Sequence, residues 1–386
     1  MQRSKWNRSS TVLLCCFLDG IGWTLNTSVL PPLLPLMIKE FKLNYFEAGL
    51  VSTCSSLAYC GLQYPIGYLA DRFGRKNVIV FGQLWSAVIC FLLLLVGDFG
   101  RLLILLLLLG VGNGMHFIPS AALISDCYPP AKRGKALSIY FSAQAISLIA
   151  APVFAVPLGE SYNWRVPFAA IGVFEVFVAL LFFVVVKEPP REQSTQNAAR
   201  GNPINRRNLR VGVVSHLTGY VFATTNFVPT FLSLKFALDL YTAGVLYSTL
   251  SMALIASSWS TLSSFVILRF KPKRAIILSE VLAFVSTAAM ALASSVSAMV
   301  GVLVIQGIMR SIMVPAILNY VTMVTRPETR ATEMGFINTL WVLGSVIGPS
   351  MIGLLTDALG FELTFIAVSI TPLASVLLTM TLTQND

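Results

Sequence analysis

Apolar stretches of 21 to 29 residues alternate with short polar connections twelve times along the chain, at approximately 11–37, 44–68, 77–97, 101–125, 135–158, 165–187, 209–235, 240–268, 275–297, 299–325, 332–357 and 361–383. Runs of this length cross a hydrocarbon core of about 30 Å as α-helices. The pattern therefore predicts an all-α membrane protein with twelve transmembrane helices. The first run is too long, and at Asp19 and Asn26 too polar, for a cleaved signal peptide, and it is expected to stay in the mature protein.

One connection is unlike the rest. Residues 187–208 are polar and rich in Pro, Asn, Gln and Arg, as expected of a cytoplasmic linker between an N-terminal six-helix bundle, 1–186, and a C-terminal one, 209–386. Sliding the sequence along itself by 197 residues supports that division. Pro32 falls on Pro229, Arg72 on Arg269, Gly110 on Gly307, Arg133 on Arg330, Pro152 on Pro349 and Phe168 on Phe365, without a gap. Six helices per half make the repeat parallel, so the bundles are expected to be related by a pseudo-two-fold axis along the membrane normal.

Composition and charge narrow the function. With 56% apolar and 11% charged residues, the chain is no ordinary soluble domain. A net charge of +10 raises the question of nucleic acid, and the position of the charge answers it. Of 27 basic residues, only Lys39, Lys42, Arg101, Arg165 and Lys235 fall in odd-numbered connections and Arg310 inside a helix; the other 21 lie at the amino-terminus and in even-numbered connections. Acidic residues outside the helices divide seven and seven. Basic residues alone carry the asymmetry, which is the positive-inside signature and places both termini in the cytoplasm. No nucleic-acid partner is expected. The six cysteines form no disulfide framework or metal-ligand spacing, and no metal or cofactor is expected. "GVGNG" at 110–114 follows no strand and lies inside an apolar run, so Gly110 and Gly114 read as a close-packing pair. Nothing assembles a catalytic site, and the chain is not expected to be an enzyme.

The connection between helices two and three reads GYLADRFGRKN, residues 67–77. Gly67, Asp71, Arg72, Gly74, Arg75 and Lys76 fill every position of the loop motif of the major facilitator superfamily. With twelve helices, the duplication and the basic linker, the chain resembles that family over essentially its whole length. The resemblance implies two six-helix bundles, alternating access, and helices one, four, seven and ten lining a central cavity. It also gives the charged loop a role as a cytoplasmic gating motif. Gly67 is expected to allow close approach of a helix, Asp71 to accept from the amide groups opening helix eleven near Arg330 to Glu333, and Arg75 to pair with Asp126. In the second half the motif decays to LRFKPK, residues 268–273.

Ionisable residues inside spans are costly and therefore informative. Asp19, His116, His216 and Arg310 give each of the four cavity helices one such group; Glu175 and Glu280 lie on supporting helices and Lys235 ends helix seven. The repeat places Asp19 opposite His216, and the two are expected to form a proton-handling pair. Arg310, near mid-span, needs a fixed carboxylate or an anionic ligand. That points to a substrate with a negative group, bound by Arg310 and His116 with Asn26, Asn113 and Asn319 as polar neighbours. The other reading of Arg310 is structural, through backbone carbonyls, Glu333 or Glu280. Family exporters tend to carry glycine, three residues, glycine, proline in helix five; here Ser147 and Ala151 replace both glycines, and Leu106 stands where helix four usually has arginine.

These features predict a proton-coupled secondary transporter of a small organic solute, leaning to organic anions. The rivals are a drug or hydrophobic-compound antiporter using Asp19, and a non-transporting membrane sensor of the same fold. The expected setting is a monomer in the inner membrane of a bacterium or archaeon, its partners being substrate, protons and the lipid bilayer.

Overall fold

A computed structural model describes residues 2–187, 206–248, 262–324 and 330–382, and all elements among them are helical. Most of the 187–208 linker, the middle of the eighth run and residues 325–329 lie outside the described residues. The chain divides into two compact units, residues 1–42 with 50–193, and 43–49 with 194–386. The first contains α1 (Gln2–Ser28), α2 (Leu30–Phe41), most of α3 (Tyr45–Phe73), α4 (Arg75–Leu92), α5 (Phe99–Gly114), α6 (Phe117–Cys127), α7 (Pro130–Ser161) and α8 (Val166–Val185). The second contains α9 (Arg206–Ala223), α10 (Val228–Phe236), α11 (Leu240–Tyr247), α12 (Leu262–Leu292), α13 (Val296–Val324) and α14 (Arg330–Met380).

These helices account for eleven of the twelve apolar runs, several by subdivision, and for the two ends of the eighth. The first run is α1 and α2, parted at Val29, where prolines opening α2 give up only amides that have no helical partner. The seventh run breaks at the equivalent place, with a 3-10 turn at Thr224–Asn226 before Pro229 opens α10. The fourth run is α5 and α6, parted at Met115 and His116. Its repeat counterpart α13 passes unbroken through 312 and 313. Runs eleven and twelve are the two arms of α14, folded at Gly360, whose φ of 78° and ψ of 167° suit a residue without a Cβ.

α8 shows how a span divides its faces. Val173, Phe177, Leu180 and Val184 recur at helical spacing and are exposed, whereas Ile171, Glu175, Val178 and Phe182 point inward. Apolar residues on both faces are what a helix needs with protein on one side and acyl chains on the other. Inside the first unit Val12, Cys16, Ile79, Leu123, Tyr140 and Phe182 share a core cluster; in the second Val211, Val214, Met309, Met313 and Ile337 do so.

Several small residues are dictated by geometry. Gly74 opens α4 at φ 103°, a conformation that favours glycine, and its repeat counterpart Lys271 keeps a positive φ of 62° without that freedom. α9 lies along the first arm of α14 so closely that a Cβ on Gly219 would sit 2.7 Å from the Ser345 nitrogen, and one on Gly344 would sit 2.2 Å from the His216 carbonyl oxygen. Residues 43–49 cluster with the second unit, where the amides of Tyr45 and Phe46 each donate to the Asp357 carboxylate at 2.8 Å. That is an N-cap supplied by a residue distant in sequence.

Candidate functional site

The first unit brings four polar side chains from three helices to one buried point. Asp19, 2% exposed on α1, accepts at Oδ1 from Gln83 Nε2 of α4 at 2.9 Å and from His116 Nδ1 at 2.7 Å; its Oδ2 accepts from Ser120 Oγ of α6 at 2.7 Å. Three donors occupy three of the roughly four acceptor sites of a carboxylate. With Asp19 ionised, the contact puts the imidazole proton on Nδ1. His116 Nε2 is then left buried and without a partner among the described residues.

Sequence reasoning had joined Asp19 to His216, and the structure gives each a partner within its own unit. His216 donates from Nδ1 to the Leu340 carbonyl at 3.1 Å and packs edge-on against Tyr220. His116 is committed to Asp19 and is not a loose cation for a substrate to meet. Its position follows from the break between α5 and α6, where the ring leaves the helix face just before the next helix begins.

Two turns from Asp19, Asn26 donates from Nδ2 to Glu175 Oε1 at 2.7 Å and accepts from Cys90 Sγ at 3.3 Å. The expected polar neighbour thus serves a buried carboxyl that sequence reasoning had assigned to a supporting helix. Asn113 is 1% exposed, and neither end of its amide finds a partner among the described residues. Gln83, Ser120, Glu175 and Cys90 were not anticipated. The 197-residue offset held one usable signal, because it lays Gln83 on Glu280.

In the second unit Arg310 is 1% exposed, and no carboxylate pairs with it among the described residues. Its guanidinium carbon stands 4.8 Å over the Phe222 ring, Nη2 reaches the Val221 carbonyl only at 3.4 Å, and Nε has no partner. Both acidic residues considered as structural partners are engaged elsewhere. Glu333 accepts from Arg207 at 2.7 Å and Asn208 at 2.8 Å, and Glu280 accepts from Thr218 and Ser375, each at 2.7 Å. Asn319, expected beside the substrate, is exposed.

The loop motif has its own geometry. Arg75 pairs with Asp126, donates to the Ala122 carbonyl at 2.7 Å, and stands 4.0 Å from Asp71, whose side chain is 76% exposed. Arg72 lies over Phe73, and Lys76 donates to the Phe183 carbonyl at 2.8 Å. Among the described residues nothing lies within 4 Å of where a Cβ on Gly67 would be. Gly110 and Gly114 do press on α3, with Cβ positions 2.3 Å from the Ser55 carbonyl oxygen and 2.7 Å from Ile66 Cδ1.

A family model described as Major Facilitator Superfamily matches residues 12–296 and 260–386. Among curated proteins, the chain is 26% identical over 369 residues to the multidrug resistance protein MdtG of Proteus mirabilis, covering 91% of this chain and 89% of that one. It is 25% identical over 182 residues to the hexuronate transporter of Bacillus subtilis, covering 47% and 43%. The chain spans about half the length of several curated relatives it matches. Among solved structures, a bacterial homolog of the human lysosomal transporter Spinster, in an inward-facing and occupied conformation, superposes with a TM-score of 0.85 at 18% identity over 97% of this chain and 96% of that one.

Proposed function

The chain belongs to the Major Facilitator Superfamily and is a multi-pass membrane transporter, not an enzyme; from that premise we propose that it moves a small organic anion by alternating access, coupled to protons. The observation that carries the substrate class is Arg310. A guanidinium buried among the second unit's helices, with no carboxylate among the described residues to neutralise it, is expensive unless an anion completes it. Coupling rests on the Asp19 and His116 pair, whose open Nε2 supplies a proton site inside the first unit. The two half-sites hold complementary cargo, a proton in one unit and a negative group in the other. The setting proposed is a bacterial inner membrane with both termini in the cytoplasm and the protein acting as a monomer.

The test is flux in proteoliposomes with an imposed pH gradient and a panel of radiolabelled organic acids beside cationic dyes. Accumulation of at least one acid, abolished by a protonophore, is the expected result. Export of cationic dyes with no acid moved would instead favour the drug-antiporter reading, which the likeness to MdtG keeps in view.

The charged loop after α3 is proposed as a gate rather than a binding element. Arg75, held by Asp126 and the Ala122 carbonyl, fixes the start of α4 and leaves the Asp71 carboxylate toward solvent. Asp71→Asn is expected to slow transport at equal protein abundance in the membrane. A wild-type rate in that variant would remove the gate.

A further inference from the structure

Arg310 is not the only buried donor in its surroundings that lacks an acceptor. Tyr247, at the end of α11, is 5% exposed, and its buried hydroxyl lies beside Arg310 and Thr225, close enough to interact with both but without the geometry of a full hydrogen bond to either. Trp341, on the first arm of α14, meets Phe222 edge-on at 5.7 Å between ring centroids, and its buried Nε1 is likewise unpaired. Phe222 carries the guanidinium on its face. Donors from α13 and α14 therefore meet on one aromatic ring, with the α11 hydroxyl beside the guanidinium, and the buried Nε of Arg310 and Nε1 of Trp341 each leave unmet a hydrogen bond that burial makes costly to forgo.

The Arg310 guanidinium and the Trp341 indole can only donate, and the Tyr247 hydroxyl, whose oxygen faces the guanidinium, has its own hydrogen to give. The complement of such a set is an acceptor, and the charge of Arg310 makes it an anionic one. Amines and other cations would bring further donors to a site that already holds a cation. The remaining wall is aromatic, from Phe222, Tyr247 and Trp341, which suits a flat ring packed edge-on or offset rather than a sugar-like body.

We infer that the second unit binds an aryl oxyanion, a carboxylate or sulfonate on an aromatic ring, with Arg310, Tyr247 and Trp341 donating to its oxygens and the aromatic side chains packing its ring. The inference rests on the organic-anion reading and narrows it to one class. Tyr247 and Trp341 become specificity-determining residues for the site.

Purified protein in detergent is titrated with benzoate and benzenesulfonate, and with cyclohexanecarboxylate and benzylamine as controls, reading thermal shift and tryptophan fluorescence. Both aryl anions are expected to bind, about fivefold more tightly than cyclohexanecarboxylate, and benzylamine not at all. Arg310→Gln weakens benzoate about tenfold or more, while Tyr247→Phe and Trp341→Phe, which keep a ring and delete one donor, each weaken it about threefold to tenfold. The two phenylalanine variants decide the matter even if Arg310→Gln fails to fold. Benzoate binding unchanged in both overturns the donor set. Equal binding of cyclohexanecarboxylate and benzoate overturns the aromatic assignment and leaves the organic-anion reading standing, whereas binding of benzylamine, or of no anion, sinks both.

Discussion

Asp19→Asn is expected to abolish accumulation driven by a pH gradient while exchange of substrate across the membrane continues at a rate indifferent to pH. A gradient of one pH unit supports about tenfold accumulation for each coupled proton, so the wild type approaches that ratio and the variant stays near one. The amide is a close isostere here. Gln83 and His116 both donate to Oδ1, which remains a carbonyl, and Ser120 can reverse its hydroxyl to accept from the new NH2. Folding should survive, and only the charge that steadies a protonated His116 is lost. His116→Gln is the companion variant, removing the titrating group and leaving the carboxylate in place. If either variant still accumulates substrate against its gradient in proteoliposomes, the Asp19 and His116 pair is not the coupling site.

The second large effect concerns stability. Arg165→Ala is expected to destabilise the first unit by about 3 kcal/mol, the lower end for breaking a buried ion pair because Glu40 is partly exposed. Arg165 ties together parts of the first unit that are remote in sequence. It binds both oxygens of Glu40 in the last turn of α2, at 2.6 and 2.9 Å, donates to the Val96 carbonyl after α4 at 2.6 and 3.1 Å, and stacks on Trp164, which also donates to Glu40 at 2.6 Å. Removing it strands the Val96 carbonyl and a carboxylate together. Arg165→Lys keeps the charge but not the fork, and should fall between the two. Thermal unfolding in detergent, followed by tryptophan fluorescence, measures both; an alanine variant melting with the wild type would show that Glu40 and Val96 find water instead.

How far the sequence reached is clearest at these residues. The twelve spans were legible because a bilayer demands about 20 apolar residues from any helix that crosses it, whatever the helix then packs against. Asp19, His116 and Arg310 stood out as ionisable residues inside apolar runs, and all three are buried within the protein. Azimuth was not legible. The break at Met115 and His116 that turns the imidazole toward Asp19 carries no proline within it. Glu175 was undervalued for a related reason: its role depends on Asn26 reaching across from α1, and no pattern within α8 announces a partner on another helix. Arg165 read as one more basic residue on the sparse outer side. Its importance lies in a backbone carbonyl and an acid that are distant in the chain.

The close apposition of α9 and the first arm of α14 has a mechanical consequence. With Gly219 and Gly344 letting backbone meet backbone, there is no cushion of side chains through which one helix could slide or roll on the other. The pair must travel as a single stiff slab, carrying the His216 to Leu340 bond with it. Spin labels on the two helices should therefore hold a constant separation through the transport cycle, a fixed ruler against which movement elsewhere in the molecule can be gauged.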